Sequence, residues 1–269
     1  MKSKVTTAML VLVFFLGLSL ILYPTVSNLW NNRNMAKVIA NYDSAVENLE
    51  KEDYTKLWEE AEKYNEELSK RSMSFDLSDE SKIAYEKVLN VAEEGVMGTI
   101  EIPSIRCYLP IYHDTEENVL QVACGHIPGS SLPVGGESSH SVLSGHRGLP
   151  SATLFTDLDK LVEGDIFMIH VLGKTLTYQV DQIRIVLPEE VSELSIEKGK
   201  DQCTLVTCTP YGINTHRLLV RGHRIESRLD LNVPMDATQI DPKMAAPIMA
   251  VPLILIFVLS LRLKTRLRR

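Results

Sequence analysis

The segment CTLVTCTPYGINTHRLLVRGHR (203–224) sets a thiol and a guanidinium at a spacing that can do chemistry. Its alternating residues predict a strand ending at Cys208, a Thr-Pro-Tyr-Gly turn, and a second strand opened by Arg217. A cysteine at the mouth of a strand has rigid backbone beneath it and an accessible sulfur, which suits a nucleophile. Arg217 lies nine positions on, across a hairpin-like connection, and so can sit beside that thiol. Its guanidinium stays cationic and presents donors in a fixed fork, suited to a carbonyl or a developing oxyanion. The spacing alone is weak, because a buried structural cysteine fits the same pattern.

The other cysteines are Cys107, Cys124 and Cys203. Cys203 and Cys208 are five positions apart, so strand alternation turns them to opposite faces. If Cys208 opens onto a cleft, Cys203 points into the core. A nucleophilic thiol must stay free, which excludes a Cys203–Cys208 disulfide in an active enzyme. No CxxC or Cys/His pair has zinc-ligand spacing, so neither a metal nor another cofactor is expected. Seven histidines offer imidazoles: His113, His126, His140, His146, His170, His216 and His223. Surface or hydrogen-bonded structural roles suit most of them, although His126 and His140 bracket GSSLPVGG and could line a site.

The elements that must position these groups are mostly strands. Runs rich in β-branched residues predict them at 98–105, 107–112, 141–146, 165–172, 175–187, 203–208 and 216–225, with Gly173-Lys174 as a hairpin turn. Helical material is sparse here, confined to 119–123 and the stretch near 155–161. Many short strands with few helices imply a sandwich or closed barrel. Upstream, 28–70 reads as helical, with an apolar stripe through Tyr42, Val46, Leu49, Tyr54, Leu57, Trp58, Ala61, Tyr64 and Leu68 that would pack on the main domain. The segment 71–81 reads as a loop, and a short helix over 81–91 is started by Ser78 or Asp79.

The composition is ordinary for a globular protein, with 45% hydrophobic and 23% charged residues. A net charge of -7 argues against nucleic acid as a partner. Positive charge clusters instead beside two apolar runs. Val5 to Tyr23 carries no charge and is long enough to cross a bilayer, with Lys2 and Lys4 before it. It exceeds the apolar region of a signal peptide, which favours an uncleaved anchor. A second run, Met244 to Leu261, ends in Arg262, Lys264, Arg266, Arg268 and Arg269. The positive-inside rule then leaves both termini cytoplasmic and the region between them outside.

TLVTC (204–208) followed by Arg217 resembles the Thr-Leu-x-Thr-Cys…Arg signature of sortases, and SGHRGLPSATLFTDLDKL (144–161) resembles the segment around their catalytic histidine. The likeness runs over roughly 95–225; with the helical extension and second span it is most similar to class C, pilin-polymerising sortases. The resemblance implies a mainly β fold, an eight-stranded barrel with an N-terminal helical extension and two flanking transmembrane helices. It implies Cys208 as nucleophile, His146 as acid/base and Arg217 as electrophilic helper. It further implies cleavage of an LPXTG-like sorting signal between Thr and Gly, and transfer of the acyl group to an amine, a pilin lysine. The alternative acceptor is the cell-wall precursor, served by a housekeeping-type sortase. The chain divides accordingly into an anchor (1–27), a helical extension (28–94) with a candidate lid loop (71–81), a catalytic barrel (95–226), a tether (227–243) and a C-terminal span with basic tail (244–269).

Many class C sortases carry a lid with an Asp-Pro-aromatic motif, whereas this chain has Ser74-Phe75-Asp76-Leu77, without the proline and in another order. As a lid, Phe75 or Leu77 would fill the groove meant for Leu-Pro, and Asp76 would face Arg217; as a plain connection, none would. Papain-like and caspase signatures are absent. A binding domain that kept the barrel without the chemistry has no evident reason to hold Cys, His and Arg together.

Overall fold

The computed structural model describes residues 2–71, 75, 77–91, 95–226 and 254. The expected tether (227–243) and all of the expected second span except Ile254 lie outside the described residues, as does Asp76.

Eight strands close into a barrel in the order β1-β2-β3-β4-β7-β8-β6-β5. They are β1 (Val96–Ile102), β2 (Cys107–His113), β3 (Cys124–His126), β4 (Ser139–Gly145), β5 (Ile166–Val171), β6 (Lys174–Val186), β7 (Asp201–Thr209) and β8 (His216–Ile225). Most neighbours are antiparallel, while β2–β3 and β4–β7 are parallel. Closure leaves no free sheet edge. Alternate residues point inward: Ile100, Ile102, Leu109, Ile111, Leu143, Phe167, Ile169, Tyr178, Leu205 and Val220 are buried in one core.

The strand expectations hold with small changes of boundary. β3 was not expected; its three residues, Cys-Gly-His, carry no alternation. The β5–β6 turn is Leu172-Gly173, one place earlier than read, with Val171 and Lys174 paired and both turn residues at positive φ. Residues 119–123 form only the end of a four-residue helix, α4 (Glu117–Leu120), and the stretch near 155–161 holds a single 3₁₀ turn over Leu158–Lys160.

The region read as helical, 28–70, is built from two helices. α1 (Lys2–Glu47) runs through the apolar run and Pro24 without a break, and α2 (Lys51–Ser69) follows a turn in which Leu49 packs on the core. Among the described residues, α1 is the one helix long and apolar enough to cross a membrane. Val5, Met9, Leu12, Leu16 and Leu20 are exposed along it, while Met35, Ile39 and Tyr42 are buried against the barrel. Tyr42 is a double tie: its hydroxyl donates to Met97 O at 2.9 Å and accepts from Leu172 N at 3.0 Å.

α2 lays its stripe on the barrel as expected. Ala61 is buried, Leu57, Trp58 and Tyr64 are packed beside it, and Lys174 Nζ sits 3.6 Å from the centroid of the Trp58 ring. Asn65 reaches from α2 to Leu132, accepting from its N–H at 2.7 Å and donating to its carbonyl at 3.0 Å. Ser78 caps α3 (Asp79–Lys87), accepting from Ser81 N–H, and Tyr85 drives that helix's contact into the core.

Candidate active site

Two of the candidate residues sit on adjacent strands, and His146 is the first residue after β4. Cys208 on β7 and Arg217 on β8 are direct cross-strand partners. The β4–β7 ladder is parallel and pairs Ser144 with Val206. Thr207 Oγ1 donates to Gly145 O at 2.7 Å, holding the strand ends together there. Neighbouring strands lie about 4.8 Å apart, so Cys208 and Arg217 stand side by side, with His146 leaving the end of the next strand, β4.

Alternation decides which face they occupy. Cys203 and Leu205 belong to the barrel core, so Thr204, Val206 and Cys208 point outward. The same holds for Arg217, Leu219 and Arg221, because Leu218 and Val220 are in the core. Cys208 is half-buried and all four cysteines are free, with Cys107, Cys124 and Cys203 buried. Burial pushes the Cys107 thiol up to about 12 and holds those of Cys124 and Cys203 well above the ordinary thiol value, so none of the three is disposed to form a thiolate.

Arg217 Nη1 donates to the carbonyls of Asn214, at 3.3 Å, and His216, at 3.2 Å. These bonds turn the fork without occupying Nε or Nη2, which have no partner among the described residues. His146 is partly exposed, and its Nε2 donates to Glu117 Oε2 at 3.4 Å. The loop after it is fastened from several sides. Arg147 pairs with Asp159, donates to Thr209 Oγ1 at 3.5 Å, and lies 5.9 Å from the centre of the Tyr211 ring. Gly148, at φ +77°, packs where a Cβ would come within 2.8 Å of that ring. From α1, Asn28 Oδ1 accepts from Thr153 N and Oγ1, both at 3.1 Å, and Asn31 Nδ2 donates to Ser151 O at 2.9 Å.

An apolar floor extends along the outer face from Cys208 and Arg217. Val142, Leu194, Val206 and Leu219 form a buried cluster separate from the core, with Ile127 and Val186 at its margins. Leu194 comes from the β6–β7 connection, which His140 and Arg221 pin to the sheet. His140 Nδ1 donates to Ser195 O at 3.0 Å while Nε2 accepts from Thr204 Oγ1 at 2.7 Å. Arg221 bridges Asp181, at 3.0 Å, and Glu197, at 3.2 Å. Phe75 packs on this cluster, whereas Leu77 packs on the main core instead. Of the two candidate groove fillers, the structure therefore brings one to the outer face.

The remaining histidines have structural partners. His126 is fully buried, with Nε2 donating to Ser131 O and Nδ1 accepting from Tyr85 Oη, both at 2.8 Å. His113 is held by Gly95 O and Val88 O, His170 by Glu101 and Thr175. His216 meets Thr215 and His223 meets Asp181. Sequence reasoning missed Glu117: an exposed carboxylate opening a short helix has no periodicity or motif to mark it.

A family model described as "Sortase domain" matches residues 100–225. Sortase C1 from Streptococcus agalactiae is similar at 50% identity and TM-score 0.70, covering 71% of this chain and 100% of that one. A Clostridium perfringens sortase C, solved with the C-terminal cell wall sorting motif, is similar at 46% identity and TM-score 0.63, covering 71% and 100%. Among curated proteins, sortase D of Bacillus subtilis (strain 168) is 30% identical over 131 residues, 48% of this chain; the chain spans 63% of that relative's length. The chain belongs to the sortase family and groups with its class C members.

Proposed function

We propose that this protein is a cysteine transpeptidase that cleaves an LPXTG-like sorting signal between Thr and Gly and passes the acyl group to an amine. The observation that supports this reading is the cross-strand pair Cys208–Arg217 on β7 and β8, with His146 just after the end of the adjoining β4 and an apolar cluster on the same outer face. Apolar side chains of the signal fit over Val142, Val206, Leu194 and Leu219, which brings the scissile carbonyl to Cys208. The thiolate of Cys208 attacks that carbonyl, and the guanidinium of Arg217 meets the developing oxyanion. His146 as imidazolium protonates the departing amine, leaving a thioacyl enzyme. An incoming amine then loses its proton to His146 as it attacks the thioester, and the thiol is restored.

The acceptor is a pilin lysine. In favour of this stands the likeness to class C sortases, 50% identity with a sortase C1 and 41% with a Streptococcus pneumoniae sortase C whose structure is described in terms of pilin substrate specificity. The purified full chain, in detergent, is to be incubated with a sorting peptide alone and with a lysine-bearing pilin or a wall-precursor amine. Mass spectrometry should find the acyl group on the lysine. A product formed with the precursor amine alone would support the housekeeping reading.

The chain is held in the membrane by 1–27 and 244–269, with the helical extension (28–94), the barrel (95–226) and the tether (227–243) outside, facing the cell wall. α1's exposed apolar run and the basic residues after the second run support this topology. Protease added to wall-stripped cells should remove the central region and spare tags on both termini. A digested C-terminal tag would contradict it.

A further inference from the structure

The carboxylate of Glu117 meets the imidazole of His146, with Nε2–H donating to Oε2 at 3.4 Å. A neutral imidazole carries one proton, and the partner of one nitrogen decides which nitrogen is left with a lone pair. Glu117 is exposed, so its effect depends on how firmly the backbone presents it.

That backbone is braced. Asp114, in the left-handed region at φ +56°, accepts from Glu116 N at 2.7 Å and starts the turn into α4. Its own N–H donates to Tyr85 Oη at 3.2 Å. Gly125 on β3 lets the turn approach closely, for a Cβ there would stand 2.0 Å from Asp114 O. Lys82 reaches Glu116 at 3.5 Å. Two of these ties, Tyr85 and Lys82, come from α3, so the helical extension fixes α4 on the barrel. Within α4, Gln121 Nε2 donates to Glu117 Oε1 at 3.2 Å and leaves Oε2 to His146. The bonds from Gln121 and then His146 hold the Glu117 carboxyl below the usual carboxylate range, so the acceptor is ionised.

We infer that Glu117 is a positioning residue for His146: it selects the tautomer with the proton on Nε2 and leaves Nδ1 as the nitrogen presented to Cys208. The inference rests on the assignment of Cys208 and His146 above. The proton balance closes without Glu117 changing state. The thiol proton passes to Nδ1, the Nε2 proton stays against the carboxylate, and Nδ1–H then goes to the leaving amine.

The test uses the full chain in detergent and compares E117A, E117Q, C208A and H146A on one sorting peptide, together with ¹⁵N spectra of labelled imidazoles. Nε2 donates to a carboxylate and to an amide oxygen alike, so E117Q should keep the parental tautomer and a rate within about threefold of the parent. E117A should lose about tenfold in kcat with KM unchanged, the scale expected when a reacting group is misplaced, and its His146 signal should change tautomer. Parental kcat and tautomer in E117A, with C208A and H146A inactive, would overturn the positioning role alone. An E117Q loss equal to that of E117A would also overturn it, by showing that charge matters and not orientation. Activity surviving in C208A would instead sink the site assignment on which the inference stands.

Discussion

Cys208 and Arg217 face each other directly across the β7–β8 ladder, although nine positions and a turn separate them in the chain. Antiparallel partners have Cα atoms about 4.5–5.5 Å apart, so a thiol and a guanidinium on one face of this pair lie within side-chain reach of each other. The pair is built by register: a one-residue slip would turn one of the two to the opposite face.

Removing either partner should therefore have different consequences. Cys208→Ala should abolish thioester formation while the barrel stays folded, because a small side chain at a half-buried outer position disturbs no core contact. Arg217→Ala should cost on the order of 10²–10³ in kcat, the usual effect of deleting an oxyanion donor. Arg217→Lys should recover little, since a point charge does not replace the fork. Single-turnover acylation, followed by mass, separates these effects; an Arg217→Ala loss confined to KM would assign the residue to binding.

The four thiols should react in a fixed order. Cys208 alone is accessible in the native chain, while Cys107, Cys124 and Cys203 are buried and disfavoured as thiolates by that burial. Alkylation under native conditions should modify Cys208 only, and denaturation should release the other three. A disulfide involving Cys208 in an active preparation would refute the nucleophile assignment.

Most of the barrel was legible because period-two alternation is a local signal. That Cys208 and Cys203 face opposite ways followed from their separation of five, while which of them turns inward is decided by the packing of Cys203 and Leu205 in the core. What was not legible depends on pairing between distant segments. The parallel β4–β7 ladder, which sets the end of β4 beside the end of β7, has no local signature, and without the family motif spacing could not choose among seven histidines. β3 was missed because a three-residue strand containing glycine shows no pattern. The turn at Leu172-Gly173 was misread because a leucine at φ +46° sends no turn signal.

Phe75 makes the lid testable despite the missing proline. It packs on Val142, Leu194, Val206 and Leu219, the surface proposed for the substrate's apolar side chains. A tethered aromatic on that surface competes at a high effective concentration. Burying such a ring contributes on the order of 1.5–3 kcal/mol, and its partial burial here lowers that, so Phe75→Ala should raise peptide cleavage and Cys208 alkylation by roughly tenfold. Unchanged rates of both reactions would make the segment a plain connection.

His126 should give the fold a pH dependence of known sign. Burial lowers its pKa from 6.5 to about 4, because the neutral ring alone fits between Tyr85 Oη and Ser131 O. The unfolded chain protonates this histidine near 6.5 and the folded chain only near 4, so the unfolded state binds more protons between those values. The contribution to stability is therefore fully present above about pH 6.5 and is lost progressively as pH falls to about 4. A difference of that size corresponds to about 3 kcal/mol. His140, lowered by burial as well, adds in the same direction, while Asp201, raised by burial, opposes it at low pH. Comparison with His126→Gln isolates the one group, since the amide can still donate to Ser131 O but does not titrate. Urea unfolding at pH 7, 6, 5 and 4 should show parental stability falling more steeply than that of the variant. Parallel curves would mean that His126 is protonated in the folded protein.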